Sequence, residues 1–499
     1  MIVDTTLGAV RGLERPDGSR VFAGIPFAAP PVGELRFRPP QPPSPWPGVR
    51  DAVEFPAAPV QGVPTLVGPQ ENKFPALPGF PTGELGATSE DCLYLNVWVP
   101  ATPAEAPRPV LVWIYGGGFE SGSAAPPYTD GAALARQTGA VVVAANYRLG
   151  ALGFLHLADF GGEWAGATNL GLQDQIAALR WVRDNIAGFG GDPGDVTVAG
   201  QSAGAFSVGT LLAVPAAVGL FHKAILQSGS ASRSFSRATA SGVAKDLLAA
   251  LGLDGPDGLR AVPVERILEK QSTVIDGDIG RRNLPGGRSW GAVVDGEVVP
   301  VEPHRAVVAG AAVGIPLLIG ATRDEVQLFQ VLNGDRFRPA DEASLLAEMS
   351  RAGAPDPARL LDAYRLRVGS DDLSTVRSAF LTDAVYRLPA VRLAQAQVEA
   401  GGRAYHFLFS DEPLGSAMGA FHGADLLHTF DALALVGADT PSRLAVRDTL
   451  VQAFAAFVGV GDPGWPVHDA GASGNSRGVG GEGLMVTEPP VDGVTAVWG

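Results

Sequence analysis

The sequence contains a single cysteine, Cys92, among 499 residues. One cysteine cannot form an intramolecular disulfide, and it excludes a metal cluster built on cysteine ligands. Lysine is scarce, and the arginines that supply most of the positive charge are scattered along the chain. The net charge of −15 at pH 7 argues against nucleic acid as a partner, because its phosphates would be repelled.

Targeting signals and long apolar runs are also lacking. Residues 1–6 have neither the basic n-region nor the apolar h-region of a signal peptide. The longest apolar stretch, residues 306–321, is too short to span a bilayer and is interrupted by Gly310, Gly314 and Pro316. We interpret it as a helix followed by a buried strand, and we expect a cytoplasmic protein without a membrane partner.

The composition is that of a globular protein with a large core, since 46% of the residues are hydrophobic and 18% are charged. No internal repeat or low-complexity linker divides the chain, so we predict a single domain over residues 1–499. Two segments rich in proline and glycine are predicted as loops: 56–88 as a rim over a binding site, and 461–483 at the surface. Residues 330–400 are predicted to form a helical, cap-like region within the domain.

Between these loops, continuous apolar runs predict buried strands, and apolar residues at helical spacing from Leu172 to Ile186 predict a helix. The predicted strands are Val110–Tyr115, Val141–Ala145, Val196–Ala199, Ala224–Gln227, Pro316–Ile319 and Ala404–Phe409. Buried strands that alternate with helices are typical of an α/β fold with a large, mainly parallel central sheet covered by helices on both faces.

The pentapeptide Gly200-Gln201-Ser202-Ala203-Gly204 follows one of these strands and precedes an apolar helix predicted to begin near Ala205. A G-x-S-x-G sequence between a strand and a helix is typical of a nucleophile elbow. The two glycines are required because a side chain at either position would collide with the flanking strand or helix. Ser202 is therefore the candidate nucleophile.

A serine hydroxyl becomes a good nucleophile only when a histidine takes its proton, and that histidine needs an acid to fix its tautomer. In this architecture the chain order is serine, acid, histidine. His422 lies in a glycine-flanked loop just beyond strand 404–409 and is the candidate base. Asp324 and Glu325 both follow strand 316–319, and their spacing does not separate them as candidates for the acid.

Attack on a carbonyl produces an oxyanion, which needs fixed N–H donors. Ala203, the residue after the candidate nucleophile, supplies one donor. Gly116, Gly117 and Gly118 follow strand 110–115, and their missing side chains let a substrate oxygen approach the backbone. The same glycines lack the Lys-Ser/Thr pair of a phosphate-binding loop. This arrangement predicts acyl transfer without a metal or any other cofactor.

Three longer blocks resemble the type B carboxylesterases, the carboxylesterase/cholinesterase family of α/β-hydrolases. They are Phe22–Phe37, Ser89–Val97 and Phe189–Gly204. The resemblance implies an α/β-hydrolase fold with cap or rim insertions, similar to bacterial para-nitrobenzyl-esterase-like enzymes. It implies a serine carboxylic-ester hydrolase that acts on small to medium, mostly apolar esters through an acyl-enzyme.

The resemblance also implies site residues. Glu325 would be the acid, Gly117 and Gly118 would form the oxyanion hole with Ala203, and Ser228 would support the triad. Arg36 would pair with Glu90, and Arg148 would pair with Asp174.

The sequence departs from the family pattern at several positions, and one departure concerns the substrate. Gln201 stands beside the nucleophile where cholinesterases carry glutamate, which removes a negative charge that favours cationic substrates. Asp425 replaces the usual glutamate after the candidate base. Cys92 lacks the partner cysteine of secreted members, so we expect a buried free thiol.

Two other functions remain open from the sequence. The same machinery can act on amides, thioesters or lactones, because all of them pass through the same kind of tetrahedral intermediate. A non-catalytic binding or adhesion protein, similar to neuroligins, is the second alternative, although such proteins lack the serine that is intact here as Ser202. The expected partner is a small-molecule ester, and the sequence predicts no particular oligomeric state.

Overall fold

A mixed sheet forms the centre of the computed structural model, which describes residues 1–62, 65, 87–125, 129–469, 476–480, 485–486, 494 and 498. Within this part of the chain the sheet has eleven strands, which in chain order are β1 (Leu13–Glu14), β2 (Arg20–Pro26), β3 (Tyr94–Val99), β4 (Arg108–Ile114), β5 (Val141–Ala145), β6 (Gly191–Gln201), β7 (Lys223–Gln227), β8 (Leu317–Thr322), β9 (Ala404–Phe409), β10 (Ser476–Val479) and β11 (Met485–Val486). Across the sheet their order is β11-β10-β9-β8-β7-β6-β4-β5-β3-β2-β1.

The centre of the sheet is parallel and its edges are antiparallel. The seven strands from β5 through β4, β6, β7, β8 and β9 to β10 pair in parallel. Strands β1, β2, β3 and β11 form the antiparallel pairs. The prediction of a mainly parallel central sheet is confirmed.

Smaller sheets lie beside the central one. One has three strands: Ile2–Thr5, Gly8–Arg11 and Val49–Asp51. A second pairs Ala58–Pro59 with Thr88–Ser89, and a third pairs Ser234–Ser236 with Ala292–Val294.

Helices fill most of the connections between the strands. They are α1 (Gly131–Thr138), α2 (Gly150–Phe154), α3 (Leu170–Asn185), α4 (Ala203–Leu211), α5 (Arg237–Leu251), α6 (Val264–Gln271), α7 (Ile279–Asn283), α8 (Pro303–Val308), α9 (Gln327–Asn333), α10 (Glu342–Arg351), α11 (Pro357–Val368), α12 (Leu373–Thr382), α13 (Leu388–Glu399), α14 (Ala424–Thr429) and α15 (Pro441–Val460). A π-helical segment, Asp383–Arg387, joins α12 to α13. Short 3₁₀ helices occupy Gly33–Leu35, Ala158–Phe160, Gly162–Trp164, Ile186–Phe189, Pro215–Ala217, Pro256–Ala261, Gly334–Phe337 and Leu433–Val436.

The central strands are covered on both faces. Every residue of β5, β7, β8 and β9 is buried. Successive side chains of a strand point to opposite faces, so burial at every position requires a layer on each side of the sheet. Helices α1 and α15 pack against each other and against strands β5 and β4, respectively, and α3, α4 and α13 pack against strands from β4 to β9.

Several predicted boundaries shift, and three of the shifts concern the site. Strand β6 begins at Gly191, five residues before the predicted start, because an irregular pairing with β4 extends the ladder. Helix α4 begins at Ala203, directly after the turn. Strand β8 begins at Leu317 and continues to Thr322, three residues past the predicted end, because its pairing with β9 runs on to Phe409.

The apolar stretch 306–321 divides between the end of α8 and most of β8, so the prediction of a helix followed by a buried strand is confirmed. Among the described residues no helix has the length and apolar character needed to cross a membrane.

The predicted loops and cap have mixed outcomes. Most of segment 56–88 lies outside the described residues, so its place as a rim stays a prediction. Segment 461–483 contains strand β10, which pairs in parallel with β9, so the expectation of surface loop throughout is wrong. Region 330–400 holds helices α10 to α13, and α13 packs on β8 and β9. The single domain and its cap-like region stay predictions.

Candidate active site

Ser202 lies on the sharp turn between β6 and α4. Its backbone has φ +55° and ψ −123°, a strained conformation for a residue with a side chain. Its N–H donates to the carbonyl of Gln227 at 2.9 Å, and its own carbonyl accepts from the N–H of Phe206 at 2.9 Å. Bonds to β7 on one side and to α4 on the other therefore hold the strained turn in place.

The glycines on either side of Ser202 allow the close crossing of strand and helix. A Cβ atom on Gly200 would lie 2.5 Å from the carbonyl carbon of Gly204. A Cβ atom on Gly204 would lie 2.0 Å from the carbonyl oxygen of Ile114, in β4. Neither approach is possible for a real side chain, so the local sequence is required by the turn that exposes Ser202.

Glu325 and His422 contact each other at the ends of neighbouring strands. Oε2 of Glu325 lies 2.5 Å from Nδ1 of His422, and Oε1 accepts from the N–H of Thr322 at 2.8 Å. The backbone N–H of His422 also donates to the carbonyl of Glu325 at 3.3 Å. A buried carboxylate at Nδ1 favours the proton on that nitrogen, which leaves the lone pair on Nε2.

Asp324 has a different role from its neighbour. Its N–H donates to the carbonyl of Ala420 at 3.1 Å, and its Oδ2 accepts from the N–H of Ala420 at 2.9 Å. It also pairs with Arg323. The spacing allowed either carboxylate as the acid. In the structure Glu325 contacts His422, whereas Asp324 bonds to Ala420 in the loop that carries His422.

The second ring nitrogen of His422 faces the serine turn. Nε2 lies 3.3 Å from the side-chain Nε2 of Gln201, the residue before Ser202. Within the described part of the chain, the Ser202 hydroxyl has no hydrogen-bond partner. Hydrogen bonds between catalytic groups are often long in the free enzyme and tighten with substrate. The aromatic rings of Tyr386 and Phe329 flank His422, with ring centres 4.8 and 5.6 Å away.

The backbone N–H groups of Gly117, Gly118 and Ala203 have no acceptor among the described residues. Ala203 is the first residue of α4, where the helix itself offers no acceptor and its dipole is positive. Gly117 and Gly118 have φ values of +112° and +66°. A Cβ atom on Gly117 would lie 2.1 Å from the carbonyl oxygen of Ser121, so this turn requires glycine.

Ser228 is fully buried after β7, with φ +53°. Its N–H donates to the carbonyl of Gly320 at 2.8 Å. Its hydroxyl has no hydrogen-bond partner in the described structure, so the structure gives it no bond to Glu325 or to His422.

A buried cluster of three polar side chains near Glu325 and His422 was not predicted from the sequence; it consists of Gln227, Asp425 and Thr429. Gln227 donates from Nε2 to Oδ2 of Asp425 at 2.8 Å and to the hydroxyl of Thr429 at 3.1 Å. Burial, and next the charge of Glu325, raise the pKa of Asp425 to about 6. Periodicity could not reveal this contact, because its partners lie 198 residues apart.

The two expected ion pairs form, and this prediction is confirmed. Arg36 bonds through Nε to Glu90 at 2.6 Å, and Arg148 bonds through Nη2 to Asp174 at 2.7 Å. Cys92 is a buried free thiol, as expected, and burial raises its pKa. No group of three or more histidine, cysteine, aspartate and glutamate residues suited to a metal ion occurs in the described ranges.

Comparison with known proteins shows the family. Residues 1–472 match the model of the carboxylesterase family. The chain belongs to the carboxylesterase family. The para-nitrobenzyl esterase of Bacillus subtilis is 36% identical over 482 residues, which cover 94% of this chain and 92% of the relative. The mouse cholinesterase is 34% identical over 466 residues, or 86% of this chain and 73% of the relative.

Solved carboxylesterases share the fold. The Geobacillus stearothermophilus carboxylesterase superimposes with a TM-score of 0.82 at 36% identity, and 96% of each chain is covered. A PNB esterase structure gives a TM-score of 0.83 at 34% identity, again over 96% of each chain. The expected α/β-hydrolase fold is thereby confirmed. This family member is a carboxylesterase, a serine hydrolase that cleaves carboxylic esters.

Proposed function

We propose that Ser202, His422 and Glu325 are the catalytic triad of this carboxylesterase. The observation that carries the proposal is the 2.5 Å contact between Glu325 and Nδ1 of His422, whose Nε2 faces the serine turn. His422 takes the proton of Ser202 as Oγ bonds to the ester carbonyl carbon, and Glu325 stabilises the resulting imidazolium. His422 then gives the proton to the alcohol as the C–O bond breaks. Water releases the acid from the acyl-enzyme by the same route.

The oxyanion of each tetrahedral intermediate would be held by the N–H groups of Gly117, Gly118 and Ala203. Their support is that these donors have no acceptor in the described structure. Ala203 follows Ser202 directly, and a Cβ atom on Gly116, the residue before Gly117, would lie 3.0 Å from Cβ of Ser202. Removing one such donor typically lowers kcat about 10²- to 10³-fold. Gln201 and Ser228 would act as supporting residues: Gln201 through its contact with His422, and Ser228 through the backbone at the end of β7.

We further propose small to medium, mostly apolar esters as the substrate class. The aromatic rings of Phe329 and Tyr386 lie against His422, and the ring of Phe206, four residues after Ser202, lies near Tyr386. Gln201 brings no charge that would attract a cationic substrate. A relative named para-nitrobenzyl esterase agrees with this class. The cytoplasmic location and bacterial origin expected from the sequence stay predictions.

The test is hydrolysis of p-nitrophenyl esters of increasing acyl length by wild type, Ser202→Ala and Ser232→Ala. Ser232 is an exposed serine whose N–H and hydroxyl bond to Ser230, so its loss is the matched control. We expect Ser202→Ala to lose about 10⁴-fold in kcat or more, with an unchanged thermal midpoint, and Ser232→Ala to keep wild-type activity. Retained activity in Ser202→Ala would refute the assignment of the nucleophile. If wild type cleaves amides, thioesters or lactones far better than every ester, the substrate class is wrong.

A further inference from the structure

A buried arginine, Arg233, lies against two aromatic rings that belong to segments of the proposed site. Its guanidinium carbon is 5.3 Å from the ring centre of Phe119 and 5.5 Å from that of Phe206. Phe119 directly follows Gly118 of the proposed oxyanion hole, and Phe206 lies one helical turn after Ser202 in α4. The side chain of Arg233 therefore lies against one ring from each of the two segments that carry the proposed oxyanion hole and the proposed nucleophile.

The charges around Arg233 do not balance. Arg282 is fully buried and pairs with the carboxylate of Glu120. Arg233 donates from Nη2 to the hydroxyl of Ser289 at 2.8 Å, and the same hydroxyl accepts from Nε of Arg282 at 3.1 Å. No carboxylate pairs with Arg233 among the described residues, and its Nε has no hydrogen-bond partner there. Two buried guanidinium groups thus lie beside a single paired carboxylate, Glu120, and Arg282 takes it.

An unpaired buried cation is costly for folding, since it loses water without gaining an opposite charge. Burial, and next the charge of Arg282, lower the pKa of Arg233 to about 9. The group therefore remains a cation at neutral pH. Two aromatic faces compensate part of the lost hydration, but they do not use its N–H donors. A guanidinium with free donors is the preferred protein partner for a carboxylate.

We propose that Arg233 binds a carboxylate on the acyl portion of the substrate, so that monoesters of dicarboxylic acids are preferred over neutral esters of the same size. This inference rests on the proposed function, because it places the acyl group at Ser202, and it adds one terminal carboxylate to the otherwise apolar acyl group proposed there. The acyl carbon stays bonded to Ser202 through the acyl-enzyme, and the rest of the acyl chain is placed beside the aromatic residues that follow the proposed oxyanion hole and the nucleophile in the chain. Phe119 and Phe206 are those residues, and Arg233 lies against both.

The experiment compares monoethyl glutarate with ethyl 5-oxohexanoate, in which a methyl ketone of the same shape replaces the carboxylate. Hydrolysis is followed by pH-stat titration at pH 7.5. We expect wild type to prefer the anionic ester about tenfold or more in kcat/KM, mainly through a lower KM, as a charged hydrogen bond permits. Arg233→Met should remove this preference and leave kcat/KM for the ketone ester within about threefold. Arg233→Lys should retain part of the preference.

The matched control is Arg288→Met. Arg288 is partly exposed and pairs with Asp246, so its loss removes the same net charge at the surface. Thermal midpoints of all variants identify any loss of folding. Should Arg233→Met be too unstable to assay, competitive inhibition of wild type by glutarate and by butyrate gives an independent answer. The proposal then requires glutarate to bind about tenfold more tightly.

The outcomes separate this inference from the proposed function. Hydrolysis of the ketone ester without preference for the anionic ester overturns the role of Arg233 and leaves the triad standing. An equal loss of kcat/KM on both esters in Arg233→Met would show that Arg233 has a structural role only, which overturns the inference. No hydrolysis of either ester, together with activity on amides, contradicts the proposed function itself. Acetoxyacetate carries its carboxylate on the alcohol side, so an effect of Arg233→Met confined to this ester would overturn the acyl-side placement.

Discussion

The side-chain Nε2 of Gln201 lies 3.3 Å from Nε2 of His422, the ring nitrogen that does not contact Glu325. An amide at this position can donate to the neutral imidazole but adds no charge that would stabilise the imidazolium. We predict that Gln201→Glu moves the acid limb of the kcat/KM profile to higher pH, because the new carboxylate favours the protonated ring, which cannot act as a base. The same variant should gain kcat/KM for cationic esters such as butyrylcholine over a neutral isostere. Both are measured by pH-stat hydrolysis.

Gln201→Met is the control for this prediction, since it removes the amide contact without adding charge. Its acid limb should stay where wild type has it. An equal shift in both variants would show that loss of the amide contact, and not the new charge, controls the profile.

The neighbouring carboxylates Asp324 and Glu325 offer a second test. Glu325→Gln keeps the shape of the side chain but cannot stabilise the imidazolium of His422, and we expect kcat to fall about 10³- to 10⁴-fold. Asp324→Asn keeps an acceptor for the N–H of Ala420, so its kcat should stay within about tenfold of wild type. Steady-state kinetics on a p-nitrophenyl ester distinguishes the two. A greater loss in Asp324→Asn would exchange the roles assigned to the two residues.

The sequence predicted the parts of this site that depend on local patterns. Apolar runs identified the strands, and the G-x-S-x-G pentapeptide identified the turn at Ser202. The spacing of the sequence could not separate Asp324 from Glu325 as the acid, because the direction of each side chain depends on how far β8 extends. Contacts between distant parts of the chain were also missed, since Gln227 meets Asp425 across 198 residues. No local pattern encodes such contacts.

The unpaired charge of Arg233 was missed for the same reason. One arginine among many in a sequence shows neither its burial nor the lack of a carboxylate beside it. Both properties arise only in the fold, where the rings of Phe119 and Phe206 lie against the guanidinium of Arg233.

The glycine after the proposed nucleophile should be essential for folding. A Cβ atom on Gly204 would lie 2.0 Å from the carbonyl oxygen of Ile114, so Gly204→Ala must displace β4 or α4. We expect the free energy of unfolding to fall by about 3 kcal/mol or more, measured by urea denaturation. Gly242→Ala is the matched control, because it lies inside α5 with open space around its Cβ position. It should be stabilised by about 0.5–1 kcal/mol. Equal stability of the two variants would contradict the packing described for the turn.

Asp425 links stability to pH in the direction opposite to most carboxylates. Its pKa rises to about 6 in the folded protein, mainly through burial, whereas an unfolded aspartate titrates near pH 3.9. The folded state therefore holds the proton more tightly than the unfolded state. The stability that Asp425 contributes is fully present below about pH 4 and is lost as the pH rises through about 6.

We predict that Asp425→Asn stabilises the protein above pH 6, because the amide keeps an acceptor for Gln227 and removes a buried charge next to Glu325. The gain should be about 1–3 kcal/mol at pH 8 and should disappear near pH 4, as measured by urea denaturation across this range. Asp17→Asn is the control. Hydrogen bonds from Ser19 lower the pKa of Asp17, so any effect there should be a small loss that shrinks as the pH falls. A constant difference between wild type and Asp425→Asn at every pH would mean that Asp425 does not titrate differently on folding.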